Sequence, residues 1–233
     1  MLELPPISVT KRLLAASWRI GDNGSSADRI EEIMMKYHTV GDLPLQHDAA
    51  DLIAIFNRLF RQSENTRLER GDKEPIYLPA GEDCCYHRVV FAHGFFASAL
   101  HEIAHWCIAG KHRRQQEDYG YWYAPDGRNA AQQKAFEKVE VAPQALEWIL
   151  SKTCAKPFSV SIDNLNGVAT DTRDFKQAVF QRVHTYCRQG LPARAEALRI
   201  ALADFYGTAA ALDAGCFTVG EIGLEVLEGA ASA

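Results

Sequence analysis

Apolar residues first fall into a clear rhythm at Leu52, Ile53, Ile55, Phe56, Leu59 and Phe60, which share one side of a 3.6-residue period and predict an amphipathic helix. The polar stretch Ser63–Lys73 after it reads as a loop. The runs E-P-I-Y-L-P (74–79) and H-R-V-V-F-A (87–92) are short and bounded by turn residues, and they read as two strands. Gly94 then separates the second strand from a helix running to about Ile108, with Gly110 as its expected stop. Ala130–Leu150 predicts a further helix, with a kink at Pro143. P-F-S-V-S-I (157–162) reads as a strand, and Phe175–Arg188 and Ala193–Tyr206 as closing helices. Short strands beside segregated helices predict an α+β architecture, a small mixed sheet packed with helices rather than a doubly wound sheet.

The two ends read differently from this middle. Residues 1–46 form an expected N-terminal extension, loosely docked, in which helical pieces around Arg12–Trp18 and Asp28–Tyr37 flank the turn-rich G-D-N-G-S-S. Residues 47–207 form the expected catalytic, metal-binding domain, and 208–233, ending E-G-A-A-S-A, an expected C-terminal tail. The formal net charge of −5 argues against nucleic acid or an anionic membrane as a partner. No apolar run is long enough to span a bilayer, and the first dozen residues lack the pattern of a secretory signal. The six cysteines (Cys84, Cys85, Cys107, Cys154, Cys187 and Cys216) include no C-x-x-C pair; they read as reduced thiols in a cytoplasmic protein.

Candidate chemistry sits in S-A-L-H-E-I-A-H-W-C-I-A-G. His101 and His105 are four apart, so both imidazoles stand on one helix face and can reach one ion. Glu102 is rotated towards the same side, where a carboxylate can meet a metal-bound water. Leu100, Ile103, Ala104, Cys107 and Ile108 give the helix a core face. The plain alternative is two histidines that cap a core or pair with acids. Two imidazoles hold a metal poorly, so a third ligand is expected from F-E-K-V-E-V-A-P-Q-A-L-E-W. Glu140 is the first choice and Glu137 the second; Glu147 lies two turns beyond Glu140, and Gln144 is placed to brace a ligand. His87, His93 and His112 are weaker candidates, with His93-Gly94 reading as a turn. Acids interleave with aromatics from Glu117 to Asp126, and Asp118, Tyr121, Trp122 and Asp126 are candidate contacts for a cationic substrate. Lys111–Arg114 reads as cations meeting the end of the metal helix.

Four runs taken together are similar to the bacterial elongation factor P hydroxylase family. They are N-T-R-L-E-R-G-D-K-E-P-I-Y-L-P-A, R-V-V-F-A-H-G-F-F-A-S-A-L-H-E-I-A-H-W-C-I-A-G, D-Y-G-Y-W-Y-A-P-D-G-R and F-E-K-V-E-V-A-P-Q-A-L-E-W. P-F-S-V-S-I-D-N-L and F-Q-R-V-H continue the match, which spans about Ala50 to Tyr206 in one uninterrupted order. The resemblance implies hydroxylation of a lysine of elongation factor P that already carries a β-lysyl group. It also implies a metalloprotease-like (zincin-like) core with an HExxH helix and a centre of two histidines and one carboxylate. Carried over, the histidines are His101 and His105, and the carboxylate is placed at Glu140.

Residue types alone do not separate zinc from ferrous iron. With zinc, Glu102 would be the general base of a peptidase. With iron, Glu102 would steer protons, and the resemblance favours Fe(II). A third reading is a non-catalytic, metal-stabilised module that docks on a translation factor. The sequence names no reducing cosubstrate.

Overall fold

The structure is a computed structural model and describes residues 47–120, 127–162, 171–209 and 212–224. The expected helical pieces before residue 47 lie outside these residues. The first helix, α1 (Ala49–Phe60), starts at Asp48, whose side chain accepts the Ala50 N–H at 2.9 Å. It buries Leu52, Ile55, Phe56 and Phe60, the face its apolar spacing predicts.

Three strands follow, where two were expected: β1 (Thr66–Arg70), β2 (Ile76–Leu78) and β3 (His87–Phe91), in sheet order β1-β3-β2. β3 runs parallel to β1, with Thr66 opposite His87, and antiparallel to β2, with Tyr77 opposite Val89. The sheet is therefore mixed. β1 corrects the reading of Ser63–Lys73 as a loop. T-R-L-E-R has one apolar residue and carries almost no strand signal of its own; pairing with β3 makes it a strand. Its free edge is covered by Asn57 of α1, whose Oδ1 accepts the Leu68 N–H at 2.8 Å.

His93 and Gly94 form the expected turn, which is left-handed at both residues, with φ of 53° and 70°. Helix α2 (Phe96–Ile108) then runs beneath the sheet and buries Ala99, Leu100, Ile103, Ala104, Trp106 and Cys107. Its end differs from expectation. Ala109 turns to extended backbone, and Gly110 is not left-handed. The open carbonyls of Trp106, Cys107 and Ala109 instead accept from the Arg194 guanidinium at 2.9, 3.1 and 2.6 Å. A long-range cation, rather than a local glycine, ends the helix. Within the Lys111–Arg114 run, Arg114 departs from the expected helix-end cation: it is buried and pairs with Glu64 at 3.3 Å.

Helix α3 (Ala130–Thr153) opens with a reciprocal capping box between Asn129 and Gln132 and continues through Pro143. Among the described residues the predicted strand at 157–162 has no ladder partner. The Gln144 side chain takes that role, donating to the Ser161 carbonyl at 2.7 Å and accepting its N–H at 3.0 Å. Helices α4 (Arg173–Gln189) and α5 (Ala193–Tyr206) pack on α3 and close the core. After Tyr206, Phe217, Ile222 and Leu224 are buried, and Glu221 accepts from Lys152 Nζ of α3 at 2.8 Å. The result is α+β, as expected. Among the described residues no helix is long and apolar enough to cross a membrane.

Candidate metal centre

α2 and α3 pack against each other, and the contact brings His101, His105 and Glu140 together. The His101 and His105 Nε2 atoms face each other at 3.1 Å. Glu140 reaches both: Oε2 lies 3.4 Å from His101 Nε2, and Oε1 3.3 Å from His105 Nε2. Such near-equal spacings are what bonds of roughly 2 Å from one ion produce.

Other features also fit an ion here. Two imidazole nitrogens at 3.1 Å need either a proton or a cation between them. Glu140 is 2% exposed, and its Oε2 is buried without a hydrogen-bond partner. An orphaned carboxylate oxygen is costly to bury, and a cation would satisfy it. Two imidazoles and one carboxylate suit a first-row divalent ion with open positions.

Charge in the site is strongly coupled. Burial would push the Glu140 carboxyl up, but His105 and His101 outweigh that and hold it down at about 2. Burial would push His101 down, but its hydrogen bond to Glu147 and the charges of Glu140, Glu147 and Glu102 raise it to about 10. Glu102 is half-buried on the same helix. Burial pushes its carboxyl above the usual range, against the pull of His101 and His105.

The remaining candidates separate clearly. Glu137 does not join the cluster and accepts from Gln133 Nε2 at 3.2 Å. Gln144 holds Ser161 through both ends of its amide, and a side-chain hydrogen bond from it also helps to keep the Glu140 carboxyl low. His87 Nδ1 accepts the Ala80 N–H at 3.0 Å, His93 is exposed at its turn, and His112 is exposed beside Gln116. Asp118 sits at the edge of β2, its Oδ1 accepting the Tyr77 N–H at 2.8 Å. Tyr121, Trp122 and Asp126 lie outside the described residues.

A family model described as elongation factor P hydroxylase matches residues 55–217. The chain belongs to this family. A curated relative named elongation factor P lysine hydroxylase, from Haemophilus influenzae, is 56% identical over 164 residues, covering 70% of this chain and 92% of the relative.

The hydroxylase match runs from within α1 past α5, so α2, α3 and the candidate metal cluster all lie inside it. Two further residues meet the histidines of the cluster: Glu147, expected only as one of the acids of this helix, and Tyr119, which the sequence did not single out. Glu147 Oε2 lies 2.9 Å from His101 Nδ1. It stands seven residues after Glu140, two helical turns on the same face, and that spacing was the available signal. Tyr119 stacks on the His105 ring at 6.4 Å between centroids and 9° between planes. No sequence pattern announces it, because the stack depends on a left-handed backbone at two non-glycine residues.

Proposed function

We propose that this chain hydroxylates the β-lysylated lysine side chain of elongation factor P in the cytoplasm. It would use one divalent metal, Fe(II), held by His101, His105 and Glu140. The observation that carries this reading is the convergence of those three side chains in a member of the elongation factor P hydroxylase family. Ferrous iron, when bound, would supply the oxygen chemistry needed to functionalise an unactivated carbon. The protein's own groups supply the rest. His101 and His105 present Nε2, Glu147 keeps a proton on His101 Nδ1, and Glu140 supplies the third donor. Glu102 is placed to hold or pass a proton beside the cluster. Asp118, fixed on Tyr77, anchors the start of the acidic and aromatic run in which Tyr121, Trp122 and Asp126 would meet the cationic substrate.

The metalloprotease-like scaffold belongs to the same proposal. Its support is a helix bearing His101, Glu102 and His105 that packs against β3 and takes its third donor from a later helix. Residues 47–207 would form the catalytic domain, with 1–46 as an extension and 208–233 as a C-terminal segment whose Phe217, Ile222 and Leu224 pack into the core rather than hang as a free tail. The start near residue 47 is supported by His47, whose Nε2 lies 2.8 Å from the Cys154 carbonyl and whose ring meets Phe96 and Tyr206.

Intact-mass analysis of β-lysylated elongation factor P tests the reading. The substrate is incubated with the protein, ferrous iron, air and a chemical reductant. A gain of one oxygen, absent with the His101→Ala variant, is the expected result. No gain with the iron-loaded protein would reject the hydroxylase reading. Zinc-dependent cleavage of the substrate would favour the peptidase.

A further inference from the structure

The two histidines of the cluster are held in different ways. His101 has a carboxylate behind it, Glu147 at 2.9 Å from Nδ1. Among the described residues His105 Nδ1 has no such acceptor. A flat contact supports its ring instead: Tyr119 lies nearly parallel to it, and Tyr77 stacks on Tyr119 at 4.3 Å and 18°. The phenol ring of Tyr119 is thus held by one aromatic ring and stacked on a candidate metal ligand.

The backbone that places Tyr119 is strained. Asp118 and Tyr119 have φ of 44° and 60°, and Gly120 follows at 68°. Left-handed backbone is unfavourable for a non-glycine residue, because its Cβ crowds the following carbonyl oxygen. Gly120 suits its left-handed backbone, and a Cβ there would also displace the end of the Gln116 side chain. Three bonds hold the turn: Asp118 Oδ1 accepts the Tyr77 N–H at 2.8 Å, the Tyr119 carbonyl accepts from Arg113 at 3.0 Å, and the Tyr119 N–H donates to the Gln116 carbonyl at 3.1 Å. Strain that is maintained by this many contacts clusters at functional positions.

The hydroxyl does not explain the arrangement. Tyr119 is 4% exposed, and its oxygen is buried without a partner. An unpaired buried hydroxyl destabilises the fold, so the useful part of the side chain is its ring face.

We infer that Tyr119 is a positioning residue for His105, its ring held by the Asp118–Tyr77 anchor so that His105 Nε2 faces Glu140 and His101. The inference rests on the metal-centre reading. It assigns to an aromatic stack the role that a carboxylate plays at His101, and it makes Asp118 a part of the ligand support.

Co(II) titration of the full chain, followed by visible absorption, separates the inference from the reading beneath it. If the wild type binds no Co(II), the metal-centre reading fails. If it binds, Tyr119→Leu is expected to weaken binding about tenfold or more and to change the absorption bands, as loss of ligand support does. Tyr119→Phe keeps the ring and is expected to bind within about twofold of wild type, with unchanged bands. Wild-type affinity and bands in Tyr119→Leu would overturn the inference. So would equal weakening in Tyr119→Phe, since the hydroxyl would then be the active part. Should Tyr119→Leu fail to fold, Asp118→Gly and Asp118→Asn decide. Glycine accepts the left-handed backbone but removes the anchor, whereas asparagine keeps the accepting Oδ1. Weakened binding in the glycine variant, restored in the asparagine variant, supports the inference. Wild-type binding in the glycine variant overturns it.

Discussion

His101 Nδ1 lies 2.9 Å from Glu147 Oε2, while its other nitrogen, Nε2, faces Glu140 Oε2 at 3.4 Å. One ring is gripped by two acids from the same face of α3, seven residues apart. A proton on Nδ1 satisfies Glu147 and leaves Nε2 with a lone pair for an ion. Glu147→Ala removes the group that fixes this tautomer and ring angle. Metal affinity should fall by about 10–100-fold with the helical content unchanged. Metal titration with circular dichroism checks it, and an unchanged affinity would remove Glu147 from the site.

The acids of α3 should separate by position. Glu140→Ala should lose stoichiometric metal and hydroxylated product, as should His101→Ala and His105→Ala. Glu137→Ala should retain metal, because Glu137 is engaged with Gln133 at 3.2 Å and does not join the cluster. Glu102→Gln should retain metal and lose turnover, since the side chain keeps its size but can no longer exchange a proton. Elemental analysis and product mass on the five variants decide it. Normal hydroxylation by Glu140→Ala would overturn the ligand assignment.

These outcomes bear on what the sequence could reveal. The histidine pair was legible because four-residue spacing on a helix is a local property. Glu140 was legible only as one of three acids, and choosing among them depends on how α3 crosses α2. The roles of Glu147 and Tyr119 need that crossing and a left-handed turn, neither of which leaves a pattern in the residues. β1 was hidden for a related reason: Leu68 alone is a weak strand signal, and its parallel partner lies in β3. The reverse happened at 157–162. The alternating pattern there is that of a strand, but among the described residues its pairing comes from the Gln144 side chain rather than from a ladder.

Arg194 provides a prediction about stability. Its guanidinium meets three carbonyls at the end of α2 and lies over the Trp106 ring at 4.7 Å. Arg194→Ala leaves these acceptors at a half-buried helix end without their cation. The variant should lose about 2–3 kcal/mol in urea unfolding, with the denaturant slope unchanged. A loss below about 0.5 kcal/mol would show that water replaces the cation without penalty.

The coupled charges of the cluster predict opposite pH trends for the metal-free and metal-loaded protein. In the metal-free fold His101 is raised from 6.5 to about 10, so the folded protein holds a proton there that the unfolded chain releases near neutrality. Its stabilising contribution is complete below about 6.5 and disappears as pH rises through about 10. Glu140 works in the other direction: lowered from 4.5 to about 2, its contribution is present above 4.5 and is lost as pH falls through about 2. Metal-free protein should therefore melt at progressively lower temperature from pH 7 towards pH 10, and His101→Ala should lack this slope. An ion must displace the His101 proton, so metal affinity should rise across the same window, by up to about tenfold per pH unit for one proton released. Thermal melts of metal-free and metal-saturated protein across that range measure both trends, because bound ligand stabilises in proportion to the logarithm of its saturation. The gap between the two melting temperatures should widen with pH. A constant gap would mean that metal binding releases no proton, so that His101 is already neutral in the metal-free fold, and would sink this pH prediction.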